Sequence, residues 1–234
     1  MASFCQLCGN SIHSTTHTGE NLDLPGRGIF CQTCANSRAT CDVCGARLDN
    51  KRRVLTDGRR ICGQCHATAV YDIAKALPVY EQVKGIISQK LGLALNIPTA
   101  LVLIGRDQLS EILQKANYPT DDATHLLGIY MRQGRKRAIY VQSGLPRLLL
   151  MQVIAHEWGH AWHMENAPLL QDIRVKEGFA EWVAYKTMEA IGASQALTCM
   201  VAREDLYGQG LRYVLDIEVE RGKHGVLTWC RQTR

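Results

Sequence analysis

Beyond residue 65 the chain settles into helical periodicity. "HATAVYDIAKALPVYEQVKGIISQKLGL" (66–93) places apolar residues at three- and four-residue steps, the spacing of one buried helix face. Pro78 inside it predicts a break or kink, because proline removes an amide and crowds the preceding turn. "TALVLIG" (99–105) reads as a buried strand and "RDQLSEILQKAN" (106–117) as a helix. "HLLGIYMRQGRKRAIYVQSG" (125–144) predicts two strands around the polar turn 132–137. "LPRLLLMQVIAHEWGHAWHMEN" (145–166) predicts a helix with Pro146 in its first turn, and "DIRVKEGFAEWVAYKTMEAIG" (172–192) a second one. Strands followed by a run of helices predict an α+β domain. Residues 1–66 lack this periodicity and carry paired cysteines and turn signals instead ("DLPGRG", "TDG"). The expected organisation is a small module over 1–66 and a larger domain over 67–234. No Gly/Ser-rich linker separates them, so the module is expected to be docked.

Composition adds exclusions. Of 234 residues 46% are hydrophobic and 21% charged, as in globular proteins. No uninterrupted apolar stretch approaches membrane-spanning length, so no membrane association is expected. The start "MASFCQLCGN" has neither a basic nor an apolar leader region, which predicts an intracellular, cytoplasmic protein. The formal net charge of +5 falls to about +3 once eight thiolates and three zinc ions are included. The basic strip "KRRVLTDGRR" (51–60) lacks interleaved aromatics for base stacking; no nucleic-acid partner is expected.

Eight of the ten cysteines fall in four pairs, Cys5/Cys8, Cys31/Cys34, Cys41/Cys44 and Cys62/Cys65. Two intervening residues let a tight knuckle aim both sulfurs at one tetrahedral zinc, so four pairs make two structural sites. A disulfide framework suits small secreted domains and does not fit this chain. Sequential pairing gives Cys5, Cys8, Cys31 and Cys34 on one ion and Cys41, Cys44, Cys62 and Cys65 on the other; a cross-braced alternative joins first with third and second with fourth pairs. Cys199 and Cys230 stand alone and read as free thiols.

The remaining chemistry lies in the last two helices. His156 and His160 are four apart, about 40° in azimuth, so both imidazoles can meet one metal ion. Glu157 lies about 60° from His160, within reach of water on that metal. Glu177 and Glu181 share one helix face among apolar Phe179, Trp182 and Val183. A carboxylate in such a setting must be paired or metal-bound. Glu177 is therefore the third candidate ligand, Glu157 the candidate general base, and Glu181 a candidate acceptor for the outer N–H of a ligand histidine. His163 reads as a surface or supporting residue, and Trp158 and Trp162 as core.

The paired cysteines resemble a LIM domain, with two departures: Cys31 stands where a histidine is usual, and six residues ("ANSRAT") join the knuckles instead of two. "HEWGH…EGFAEW" is similar to the gluzincin metallopeptidases. The combination, together with "YGQGLR" (207–212), resembles the plant LIM-containing, ubiquitin-activated peptidases that limit organ growth, and their shorter bacterial-type relatives. No acidic ubiquitin-interacting helix precedes the cysteines, so ubiquitin regulation is not carried over. The resemblance implies a zinc peptidase acting on protein or peptide substrates, with one catalytic and two structural zinc ions. It also implies a LIM-like module that binds a protein partner or braces the domain. An oxyanion donor is expected among Tyr207, Tyr213 and His224, and substrate along the 125–144 hairpin. The alternative is a catalytically silent zinc-binding adaptor, which has no need of Glu157.

Overall fold

In a computed structural model, the protein is described over residues 3–4, 11–12, 17–19, 28–30, 40–48, 51–115, 126–167 and 172–233. The chain divides into two compact units, Met1–Ala69 with Gly144–Pro146, and Val70–Ser143 with Arg147–Arg234.

The described part of the first unit is a set of short antiparallel pairs: β1 (Ser3–Phe4) with β2 (Ser11–Ile12), β3 (His17–Gly19) with β4 (Gly28–Phe30), and β5 (Arg53–Val54) with β6 (Arg60–Ile61). A one-turn helix follows, α1 (Gly63–Thr68). Its described core is Cys41, Leu48, Ile61, Cys62 and Cys65, with Val43 and Leu55 packed against it.

The second unit opens, after β7 (Ala69–Val70), with α2 (Ile73–Leu91), capped by the Asp72 carboxylate on the Ala74 amide. Of the break or kink expected at Pro78, the break does not occur: α2 runs on as one helix. Pro78 forfeits one hydrogen bond near the start, while Ala76, Val79, Tyr80, Val83 and Ile87 form one buried face through it that outweighs the loss. Then come β8 (Ala100–Ile104), α3 (Arg106–Lys115), β9 (Gly128–Gln133) and β10 (Lys136–Gln142). The three strands form one sheet in the order β8-β10-β9. β10 pairs with β8 in parallel (Tyr140 opposite Val102) and with β9 antiparallel (Tyr140 opposite Ile129). β9 is thus an edge strand. α3 places Leu109 and Leu113 against Ile129.

Pro146 lies not in a helix but in the short strand β11 (Leu145–Pro146), and α4 (Arg147–Asn166) begins one residue later. α4 is buried nearly all round, through Leu150, Ile154, Trp158, Ala161 and Trp162. It packs against α5 (Ile173–Ala190), capped by Asp172 and buried through Phe179, Trp182, Val183 and Met188. α6 (Ser194–Ala202) and α7 (Leu206–Gln232) complete the unit, α7 changing direction at Gly222. α5 and α7 meet where Gly178 faces Gly210: a Cβ on Gly178 would stand 2.6 Å from the Gly210 carbonyl oxygen. Among the described residues no helix is long and apolar enough to cross a membrane. The chain is therefore a mixed helix and strand structure carrying a cysteine cluster compatible with a zinc module.

Candidate metal centre and cleft

Cys41, Cys44, Cys62 and Cys65 come together, each sulfur within 4.8 Å of the others, all four as free thiols. The Cys44 and Cys62 sulfurs are 3.8 Å apart, matching the edge of about 3.8 Å that a tetrahedron with zinc–sulfur bonds of about 2.3 Å requires. Cys62 caps α1, its sulfur accepting from the Cys65 amide, and the Cys62 amide donates to the Cys41 sulfur. Burial opposes ionisation of Cys41, but backbone N–H donors from Cys44, Cys62 and Val43 prevail and bring its pKa down to about 7. Burial pushes Cys65 up, as do its sulfur neighbours. A cluster with Cys41 poised to ionise and Cys44 and Cys65 costly to ionise alone is one a divalent cation stabilises. The companion set Cys5, Cys8, Cys31 and Cys34 lies outside the described residues.

The second cluster is built by two helices. One turn of α4 stacks His156 and His160, and α5 brings Glu177 up to them. The two Nε2 atoms are 3.0 Å apart, and Glu177 Oε2 lies 3.2 Å from that of His156 and 3.3 Å from that of His160. An ion bonded at about 2.0–2.1 Å in tetrahedral geometry spaces its donors about 3.3 Å apart, so the triangle fits zinc. Glu177 is buried, which raises its pKa, yet His160 and His156 hold it far below the usual carboxylate range. Burial works against a charge on His156, but its hydrogen bond to Glu177 and the charges of Glu181, Glu177 and Glu157 raise it to about 9.

Around this triangle the roles differentiate. Glu157 is 5% exposed and accepts from the Tyr130 amide at 2.8 Å. Burial and then the charge of Glu177 push its pKa up, against His160, His156 and that amide, which suits a group that must take and return a proton. Gly128 makes this approach possible: a Cβ there would lie 2.7 Å from Val153 Cγ1 and 3.1 Å from Glu157 Cγ. Glu181 sits on the outer side of His156, but its Oε1 is 3.7 Å from Nδ1, too long for a hydrogen bond. That oxygen is held instead by Arg203 Nη1 at 3.0 Å, and Oε2 has no partner among the described residues. Arg203, absent from the sequence-based candidates, also grips Asp205 and lies 4.7 Å above the Tyr207 ring. Asp205 in turn caps α7 through the Gly208 amide. Of the three oxyanion candidates, Tyr207 lies beside the centre, its ring 5.8 Å from that of His156. Tyr213 is exposed and packs on Trp229, and His224 is exposed near the end of α7. His163 is buried against Phe179, not on the surface, and its Nε2 has no partner among the described residues.

His156 and Glu157 border a cleft of about 450 Å³. Leu126, Leu127 and Gly128 line one side, Leu149 and Val153 another, and Leu206 with Tyr207 the third; Glu157, Glu181, Arg203 and Asp205 supply polar groups. An apolar cleft with a few convergent polar groups is the usual form of a small-ligand or peptide site.

No family model matches the chain, and no solved structure matches it. It is similar to Protein DA1 of Arabidopsis thaliana, 27% identical over 248 residues that cover 89% of this chain and 46% of that protein. Protein DA1-related 2 of the same plant is 25% identical over 173 residues, 61% of this chain and 33% of that protein. LIM domain-containing protein HDR3 of Oryza sativa subsp. japonica is 22% identical over 173 residues, 61% of this chain and 34% of that protein. The chain spans less than half the length of these curated relatives. Its homologues at 22–27% identity are thus DA1, DA1-related and LIM domain-containing proteins.

Proposed function

We propose that this chain is a zinc-dependent peptidase of the gluzincin type, with a LIM-like double zinc module that serves partner binding or bracing. The observation that carries the reading is the buried Glu157, set beside a donor triangle of zinc dimensions and held by the edge strand. An adaptor that only bound metal would gain nothing from an acid there. The similarity to DA1-type proteins is a second support.

His156, His160 and Glu177 would hold the catalytic zinc, and the two four-cysteine sets one structural zinc each. Zinc supplies Lewis acidity: it lowers the pKa of water toward about 7 and polarises a carbonyl. Glu157 takes the proton of the attacking water, holds it while the carbon becomes tetrahedral, and delivers it to the departing amine. Its raised pKa favours both transfers. The Tyr207 hydroxyl, on the rim nearest His156, donates to the developing oxyanion. The outer edge of β9 offers extended backbone to a peptide, as in strand addition. Arg203 neutralises buried Glu181, so that its charge steadies His156 without standing unpaired.

Glu157→Gln keeps the shape and removes the base. The expected result is an unchanged zinc content of three per chain and at least a hundredfold loss of cleavage across a peptide library. Two zinc ions per chain, or a wild type that carries three and cleaves nothing, would sink the peptidase reading and favour the adaptor.

A further inference from the structure

β9 joins two chemically different places. Its first residue, Gly128, lies against Glu157 at the cleft. Its last, Gln133, opens the turn into β10, where Arg132, Arg135, Lys136 and Arg137 fall within six positions. Five strand steps of about 3.3 Å put that turn about 17 Å from the cleft. Among the described residues the ion pairs at this turn converge on one carboxylate, Glu165, reached by Arg137 and, at 4.0 Å, by Arg132. Arg137 is buried, whereas Arg135 and Lys136 are exposed. Beside the turn opens a groove of about 490 Å³, with Met131, Ala138 and Tyr140 among its apolar walls and Arg135 and Lys136 at its polar end. One acid against four cations leaves a positive potential at the far end of the edge strand.

We infer that this turn and groove form a docking site for an acidic stretch of the polypeptide substrate, centred about five residues from the scissile bond. The inference rests on the peptidase reading and gives it a substrate class. An extended chain laid along β9 advances by the same rise per residue as the strand. A residue five positions from the reacting carbonyl therefore arrives at Arg135 and Lys136. The Tyr130 amide, donated to Glu157, shows that the outer edge of β9 is the one facing the centre. Aspartate or glutamate side chains there meet cations, and the groove walls accept apolar neighbours. A nucleic acid is disfavoured because Tyr140 is the one aromatic among the groove residues, too few for successive base stacking.

The test uses the zinc-loaded full chain and peptides that share one apolar cleavage core. Four glutamates, or four serines, are placed about five residues from that core on its N-terminal or its C-terminal side. Binding is read by fluorescence anisotropy and cleavage by kcat/KM. One of the two acidic peptides is expected to exceed its serine counterpart about tenfold in both at low salt. The advantage should vanish at about 0.5 M salt and in Arg135→Glu/Lys136→Glu, which cleaves the serine peptides at the wild-type rate. Equal binding of acidic and serine peptides, or a preference that survives the charge reversal, overturns the inference. So does a single-stranded oligonucleotide that binds tighter than the acidic peptide and is lost in the same variant. If the wild type binds the acidic peptide through Arg135 and Lys136 but cleaves nothing, the docking site stands and the peptidase reading falls.

Discussion

His163 shows how much a single buried residue ties stability to pH. Burial, with the charges of His160 and Lys176, lowers its pKa to about 4 from the ordinary 6.5. Between those values the unfolded chain binds a proton that the folded chain refuses. Its contribution is therefore complete above pH 6.5 and is lost as pH falls toward 4, by about 2 kcal/mol between pH 7 and pH 5. His163→Leu removes this share, so urea midpoints at the two pH values should differ less in the variant than in the wild type. His156 behaves oppositely. Raised to about 9 in the metal-free centre, it must release a proton on metal uptake. Zinc affinity at this site should rise about tenfold per pH unit from 6 to 8, read by competition with a chelating dye. A flat profile would mean that the imidazole is already neutral. Arg203 is the residue the sequence did not disclose. An arginine between two helices has no spacing rule, and its partners Glu181, Asp205 and Tyr207 meet it only in the folded chain. Arg203→Ala leaves buried Glu181 with no cation closer than His156 and should cost about tenfold in zinc affinity, with Arg203→Lys intermediate. Calorimetric titration decides.

At the scale of elements, legibility followed the range of the interaction. The candidate ligands His156 and His160 share one helix turn, and Glu177 and Glu181 another, so a 3.6-residue period was enough to propose them. The sheet order was not legible. β8 lies beside β10 in parallel across α3 and β9, a pairing that depends on packing and not on local pattern. Pro78 forms no break and Pro146 lies outside the helix for a related reason: each proline's local preference was outvoted by the faces on either side of it. Residues 191–234 carry little motif, yet α7 brings both its cap at Asp205 and a backbone contact with α5 at Gly210. That contact has a consequence for Gly178, next to Glu177. Gly178→Ala drives a methyl group to within 2.6 Å of the Gly210 carbonyl oxygen, against backbone on a helix that cannot step aside alone. It should destabilise the unit by about 2–3 kcal/mol and displace Glu177 from the histidines, lowering zinc content as well. Thermal melting together with metal analysis separates the two effects.

The molecule as a whole holds its two units by different means. The larger buries Trp158, Trp162, Phe179 and Trp182 among many aliphatic side chains, a core able to offset chain entropy without metal. In the smaller, the described core is five residues, and Cys41, Cys62 and Cys65 are three of them. Their thiols are also ligand candidates, and burial pushes that of Cys65 up. The apolar surface of this described core is small for ordering a loop of this length, so metal binding is expected to contribute folding free energy directly. Strong chelation should therefore abolish amide protection over 41–65 while leaving 150–190 protected, as read by hydrogen exchange with mass spectrometry. Cys62→Ser, which removes a candidate ligand while leaving a hydroxyl able to cap α1, should reproduce the pattern without chelator. Protection over 41–65 that survives both treatments would show that the hairpins and their few aliphatic residues fold unaided.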